Sequence, residues 1–180
     1  MKRIVLALTL VGLLGGGAGA GTQQAPLPNR ARVLSAARDV MTHARYATLV
    51  TIGEDGQPQA RVVDPAAPEA DLIVWIATNP ASRKVTQLRK DARATLLYFD
   101  RGTESYVTLL GSASLVTDPA EKARHWQARW APHYPDGPRG ANHLQLRFVP
   151  RTLEIVSGPH KLEGDPKTWR PVVLELTNDK

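Results

Sequence analysis

Hydrophobic and polar positions divide the chain into an apolar leader, an amphipathic helix and a series of short β-type runs. Apolar residues recur at helical spacing over 30–45, which predicts the helix. The continuous apolar run 71–78 predicts a strand buried on both faces. Further β-rich runs predict strands at 46–52, 58–63, 92–99, 105–116, 144–148, 152–156 and 172–176.

Turn residues connect these runs in a meandering order. Asp55-Gly56 between two β-type runs predicts a hairpin. Gly111 inside a long run predicts a bulge or sharp bend, and Pro150 predicts a break between two strands. Strands and helices do not alternate regularly, which argues against a doubly wound parallel sheet. The pattern predicts a mainly β protein with flanking helices, a single-domain antiparallel barrel that is closed or nearly closed.

Capping residues predict two further helices. Asn79 is expected to cap a short helix that has Pro80 at its first position and ends near Asp91. Asp118, followed by Pro-Ala-Glu, is expected to cap another helix that runs to about Trp130.

The first twenty residues have the features of a secretory signal peptide. Basic residues at 1–3 precede an apolar run over 4–14 and a small-residue pattern at 18–20. Residues 1–20 are therefore predicted to be removed on export to the periplasm or outside the cell, and residues 21–29 to form a flexible lead-in. The apolar run is too short for an ordinary membrane span, so no stable span is expected after cleavage.

Composition excludes several chemistries. The chain has no cysteine, which rules out disulfides, thiol catalysis and cysteine-ligated metals. Its five histidines show no metal-ligand spacing, so no metal is predicted. The formal charge of +6 fits a phosphate-bearing ligand or a general surface bias, and no basic run with interleaved aromatics indicates nucleic acid.

A dense set of anion-binding groups follows the buried strand 71–78. Free N–H groups at a helix start, hydroxyls and basic side chains can converge on a phosphate there. Arg61 on a neighbouring strand could close the phosphate from the other side. The same residues also fit a solvated helix start with no ligand. The groups after the strand are Thr78, Asn79, Ser82, Arg83 and Lys84.

The order and spacing of these motifs resemble the FMN-binding split-barrel superfamily of pyridoxamine 5′-phosphate oxidase-like proteins. The motifs are Arg61-Val62-Val63, Thr78-Asn79 and Ser82-Arg83-Lys84. The tail segments 130–138 and 144–150 resemble the general stress protein branch. The resemblance covers roughly 30–158 and implies a flavin-binding split β-barrel domain there. Residues 159–180 would form a C-terminal extension with a short strand.

The resemblance also implies roles and partners. FMN would be bound at the interface of a homodimer, with the backbone at Val62 and Val63 against the isoalloxazine ring. Tyr106 stands where the oxidase uses an amide side chain near the flavin. The residues implied to hold the phosphate and ribityl chain are Arg61, Thr78, Arg83 and Lys84, with Asn79 and Ser82 in the same turn.

Departures from the oxidase pattern concern the substrate. Asp64-Pro65 replaces a lysine that contacts the vitamin substrate in the oxidase, and Trp169-Arg170 lies in a different context from the oxidase's C-terminal pair. Both argue against pyridoxamine phosphate as the substrate. The sequence thus predicts an FMN-dependent oxidoreductase of unknown substrate and unassigned catalytic residues. The alternative is a stress protein that binds flavin, haem or deazaflavin without turnover.

Overall fold

The computed structural model describes residues 29–176; the predicted signal peptide and residues 21–28 of the lead-in lie outside the described residues. Within that range, no helix is long and apolar enough to cross a membrane. The helices are α1 (Arg30–Ala44), α2 (Arg83–Lys90) and α3 (Pro119–Arg124). The strands are β1 (Ala47–Ile52), β2 (Pro58–Val63), β3 (Val74–Thr78), β4 (Arg93–Asp100), β5 (Ser105–Val116), β6 (Leu144–Val156) and β7 (Val172–Glu175).

The strands form one antiparallel sheet in the order β2-β1-β4-β5-β6-β3, with β7 added to β6. The sheet curls until its edge strands β2 and β3 approach one another. An isolated bridge joins Pro65 to Ile76, and the Ala66 N–H donates to the Trp75 carbonyl at 2.8 Å. No strand ladder joins β2 to β3 in the part of the chain that the structure describes. The predicted split antiparallel barrel is thereby confirmed.

Helix α1 packs against the sheet through its apolar stripe, as the sequence predicts. Asn29 caps it by accepting a hydrogen bond from the Ala31 N–H at 2.9 Å. Packing of the stripe against the inner faces of β4 and β5 builds the main core, which also contains Leu49, Leu96 and Leu109. The buried helix residues are Val33, Ala36, Ala37, Val40 and Met41.

The predicted break at Pro150 is wrong, because β6 runs continuously from Leu144 to Val156. The irregularity lies in the pairing of β5 with β6, where the register shifts between Leu110 and Gly111 of β5. A Cβ at Gly111 would lie 2.1 Å from the Val149 carbonyl oxygen, so only glycine permits this approach. The bend predicted at Gly111 is confirmed, and it is what lets Pro150 remain within a strand.

Both short helices differ from their predicted bounds. The second begins at Arg83, with Ser82 as its N-cap residue, while the Asn79 side chain accepts from the Ala81 N–H in the preceding turn. Asp118 does cap α3, by accepting from the Glu121 N–H at 2.8 Å, but the helix ends at Arg124. A separate 3-10 turn then carries residues 128–130.

Candidate functional site

A groove of about 330 Å³ lies at the split of the barrel, where β2 and β3 end side by side. One wall comes from these strand ends and the start of α2. The other comes from the loop after α3. The lining residues are Val62, Val63, Asp64, Ala77, Thr78, Asn79, Ser82, Lys84, Trp130, His133 and Tyr134.

Hydroxyls and an ammonium group converge at one end of this groove. The Lys84 Nζ donates to the Thr78 Oγ1 at 2.9 Å, and that oxygen lies 3.0 Å from the Ser82 Oγ. Thr78 is held at the end of β3 and Lys84 in the first turn of α2, so both positions are set by regular structure. These groups can all donate to the oxygens of an anion.

The Arg61 guanidinium lies beneath the start of α2, on the inner face of β2. Its Nη1 donates to the Thr51 Oγ1 at 2.5 Å, and its Nη2 donates to the Gln87 Oε1 at 3.0 Å. Gln87 is 3 % exposed and in turn donates to the Gln59 Oε1 at 2.7 Å. A buried polar network therefore holds the arginine in place with neutral partners.

Positive charge accumulates in this corner, where Arg61, Arg83 and Lys84 lie near one another. Burial, with repulsion from Arg83 as a smaller cause, lowers the pKa of Arg61. Burial, followed by repulsion from Arg61, likewise lowers the pKa of Lys84. Among the described residues, no ion pair involves Arg61, Arg83 or Lys84. A bound anion would relieve both the repulsion and the desolvation of these groups.

The opposite wall is aromatic and stands on irregular backbone. The buried Trp130 indole N–H donates to the Asp64 carbonyl at 3.0 Å, which ties the loop to the end of β2. Its ring makes an edge contact with Trp126 at 6.0 Å between centroids. Tyr134 and the buried His143 lie edge to face at 4.9 Å, and burial raises the pKa of the Tyr134 phenol. This wall offers flat apolar surfaces for a ring system.

Most of the residues singled out in the sequence lie in or beside the groove. Val62, Val63, Thr78, Asn79, Ser82 and Lys84 line it, and Arg61 lies beneath it. Arg83 is exposed on α2 and close enough to lower the pKa of Arg61. Tyr106 does not line the groove. It lies on β5, paired with Phe99 and Val156.

The aromatic wall is what the sequence motifs missed. Trp130, His133 and Tyr134 all line the groove, although none of them belongs to a cofactor-binding motif of the sequence. The available signal was three rings within five positions of a Pro-rich loop. That pattern does not disclose where the loop packs, because the contact to Asp64 spans 66 positions.

Comparison with known proteins agrees with this architecture. The family model described as pyridoxamine 5′-phosphate oxidase matches residues 33–157, well over half of the chain. A pyridoxine/pyridoxamine 5′-phosphate oxidase of Cupriavidus metallidurans is 37% identical over 82 residues, which are 46% of this chain and 38% of that protein. The match thus spans well under half of that relative's length.

Solved structures share the fold at low sequence identity. A Clostridium acetobutylicum protein related to general stress protein 26 has a TM-score of 0.69 at 18% identity, covering 81% of this chain and 95% of its own. A pyridoxamine 5′-phosphate oxidase-related, FMN-binding protein of Nostoc punctiforme has a TM-score of 0.52 at 19% identity, covering 81% and 89%. With the family model matching from α1 through β6, the chain belongs to the pyridoxamine 5′-phosphate oxidase family.

Proposed function

We propose that the groove binds FMN and that the protein is a flavin-dependent oxidoreductase. The observation that carries the proposal is the corner formed by Arg61, Arg83 and Lys84, three cations that pair with no carboxylate among the described residues. A nucleotide phosphate supplies the missing negative charge, and the hydroxyls of Thr78 and Ser82 supply further donors. The FMN-binding relative of Nostoc punctiforme has the same fold.

The remainder of the groove suits the ring system of a flavin. From the phosphate corner the groove passes the end of β2 at Val62 and Val63 and reaches the aromatic wall. Bound there, FMN would supply hydride and electron transfer. The protein would position the ring and exclude water with Trp130 and Tyr134. His133, exposed at the rim, is the titratable side chain best placed to meet a substrate.

We propose a substrate other than pyridoxamine phosphate. The oxidase's lysine is replaced here by the stretch Asp64-Pro65, and the Asp64 carboxylate accepts from the Arg129 Nε at 3.2 Å. A carboxylate that is already paired with an arginine cannot replace a lysine as a donor to the vitamin substrate.

A homodimer would complete the site. On the outer face of the sheet, Val62 is 71% exposed and Phe99 is 54% exposed. Leu97 and Leu110 are exposed on the same face, and the strand register places Tyr106 there too, opposite Phe99. A second copy covering this face would bury the apolar side chains. Its Tyr106 would then approach the first copy's groove at Val62.

Titration of the purified protein with FMN tests the binding proposal. We expect quenching of flavin fluorescence, and we expect Lys84→Ala to weaken binding about tenfold or more, because a charge-assisted hydrogen bond is lost. Lys90→Ala, at the far end of α2, is the matched control and should bind as the wild type does. Equal affinity of the Lys84→Ala variant and the wild type would refute the assignment.

Two measurements separate an enzyme from a carrier. The visible spectrum of the protein isolated from its native compartment identifies the bound cofactor, including haem or a deazaflavin if either is present. Bleaching of bound FMN by NAD(P)H, followed by reoxidation in air, is expected for an oxidoreductase. A bound flavin that no donor reduces would favour the non-catalytic alternative.

A further inference from the structure

A second cavity lies behind the segment that closes the flavin groove. It has a volume of about 190 Å³ and lies between the last turn of α1, residues 65–68 and β4. Asp64 lines the groove, whereas Pro65, which follows it in the chain, lines this cavity. In the same way Trp130 lines the groove, and Arg129, which precedes it, lines the cavity. The two sites thus share a wall but face opposite sides of it. The lining residues are Met41, Thr42, Arg45, Pro65, Ala66, Ala67, Pro68, Tyr98 and Arg129.

Tyr98 brings an unsatisfied donor to this cavity. The residue is 1% exposed, and its hydroxyl oxygen has no hydrogen-bond partner among the described residues. Because its backbone lies in the central strand β4, the side chain extends through the core to line the cavity. Burial raises the pKa of the phenol, so the group remains a neutral O–H donor. A ligand oxygen would remove the cost of leaving this donor unpaired.

The mouth of the cavity carries more positive than negative charge. Two arginines, Arg45 and Arg129, line it. Among the described residues, Asp64 is the only acidic residue that forms an ion pair with either arginine. Its Oδ2 lies 3.9 Å from the Arg45 Nη2 and 3.2 Å from the Arg129 Nε. The Arg129 guanidinium is fully engaged, because it also donates to the Pro65 carbonyl at 2.5 Å. Arg45 is the more exposed and the more available of the two.

Arg45 also has a strained backbone. It follows the end of α1 with a φ of 59° and a ψ of −56°, a conformation that residues other than glycine rarely adopt. Such outliers cluster at ligand clamps and active sites. The conformation holds the residue at the mouth of the cavity instead of continuing the helix.

We propose that this cavity binds a compact monocarboxylic acid. The carboxylate would pair with Arg45 and accept a hydrogen bond from the Tyr98 hydroxyl. The apolar body would lie against Met41, Pro65 and Ala66, which are buried along the wall. The cavity is smaller than the roughly 300–1,000 Å³ that holds drug-sized ligands, which limits the acid to a single small ring or a short branched chain.

Benzoate is the probe that tests this site, with benzyl alcohol as its neutral counterpart. In an NMR titration of the purified protein, benzoate should shift the backbone amides of residues 41–45, 66 and 67. Benzyl alcohol should bind at least about tenfold more weakly, since it lacks the charge that Arg45 recognises. The titration is performed with and without FMN, so that binding here is distinguished from binding in the groove.

Three variants locate the binding. Tyr98→Phe removes only a hydroxyl without a partner, so it should fold normally and weaken benzoate binding about tenfold. Arg45→Asn retains a residue that tolerates a positive φ and should have a similar effect. Lys84→Ala should weaken FMN binding and leave benzoate binding unchanged.

The proposal is overturned if benzoate fails to bind at millimolar concentration. It is equally overturned if Tyr98→Phe and Arg45→Asn bind benzoate as the wild type does, or if the shifts fall on residues 78–84. That last outcome would identify benzoate as a weak anion in the phosphate corner and would leave the flavin assignment intact. Failure of the wild-type protein to bind FMN, with benzoate binding retained, would refute the flavin site alone.

Discussion

The two walls of the groove are built in different ways. The phosphate corner stands on the ends of β2 and β3 and the first turn of α2, where side-chain hydrogen bonds fix Arg61, Thr78 and Lys84. The aromatic wall stands on a 3-10 turn and a Pro-rich loop. It is held by ring contacts and by the hydrogen bond from Trp130 to the Asp64 carbonyl.

The difference indicates that the two walls have separate roles in binding. Charged groups on rigid elements are positioned before the ligand arrives, so they contribute affinity for the anionic end at little conformational cost. Rings on a loop provide area that can adjust to the ligand beside them, and loops tolerate sequence change more readily than the elements they connect. We therefore expect the corner to set cofactor affinity and the aromatic wall to set substrate preference.

The largest expected effect comes from removing two of the three cations of the corner. Combined Arg61→Ala and Lys84→Ala should weaken FMN binding by about a thousandfold, because two charge-assisted contacts are lost. Riboflavin, which has no phosphate, should bind the variant about as well as it binds the wild type. Isothermal titration of both ligands checks this. An equal loss for riboflavin would show that the corner does not act through the phosphate.

Trp130→Phe tests the aromatic wall. The substitution keeps a ring but leaves the Asp64 carbonyl without its indole donor, which should lower the free energy of unfolding by roughly 1–3 kcal/mol. FMN and riboflavin should lose affinity to the same extent, about tenfold, since the contact involves the ring system. Denaturant unfolding and the same titrations measure both quantities. A loss confined to FMN would contradict the division between the walls.

pH should act on the two walls in different ranges. Burial lowers the pKa of His143, so the unfolded chain takes up its proton first as pH falls below 6.5. Stability is therefore lost from that pH down to the folded pKa, and His143→Gln should reduce the dependence. Thermal unfolding against pH measures it. Stability that is constant across this interval would argue against a neutral buried His143.

Lys84 should make FMN affinity depend on pH in the alkaline range. Its pKa in the unliganded protein is lowered below 10.5, so the ammonium loses its proton earlier than an exposed lysine would. FMN affinity should fall as pH rises through that pKa, and Lys84→Arg should move the fall to higher pH. In the free protein the same shift makes stability rise toward pH 10.5, because the unfolded chain holds the proton longer. Titrations with FMN at several pH values test whether the affinity falls as pH rises.

The smallest effect is expected at the rim. His133→Ala should change FMN affinity by less than about threefold, because the side chain is exposed and makes no hydrogen bond among the described residues. Its effect should instead fall on turnover with a reducing donor. Stopped-flow reduction of bound FMN by NAD(P)H separates the two. A large loss of affinity would place His133 in the cofactor site.

Local patterns in the sequence predicted most of the elements because they are properties of short segments. The stripe in α1, the hairpin at Asp55-Gly56 and the bend at Gly111 all depend on neighbours in the chain. The errors arose where a distant contact overrode local preference. Pro150 remains in β6 because Gly111 on β5 accommodates it, and α3 ends at Arg124 before the turn that seats Trp130 beside Asp64.

The sequence by itself determined the donor groups of the phosphate corner, since Thr78, Ser82 and Lys84 follow one another in a strand–turn–helix unit. It did not determine what faces them. The approach of the 130–134 loop, the placement of Arg61 beneath α2 and the outward position of Tyr106 depend on how the sheet curls and where its split falls. The same curling creates the second cavity, because it brings α1, residues 65–68 and Tyr98 together from three parts of the chain. Contacts of this range are decided by packing of the whole core, and no short pattern encodes them.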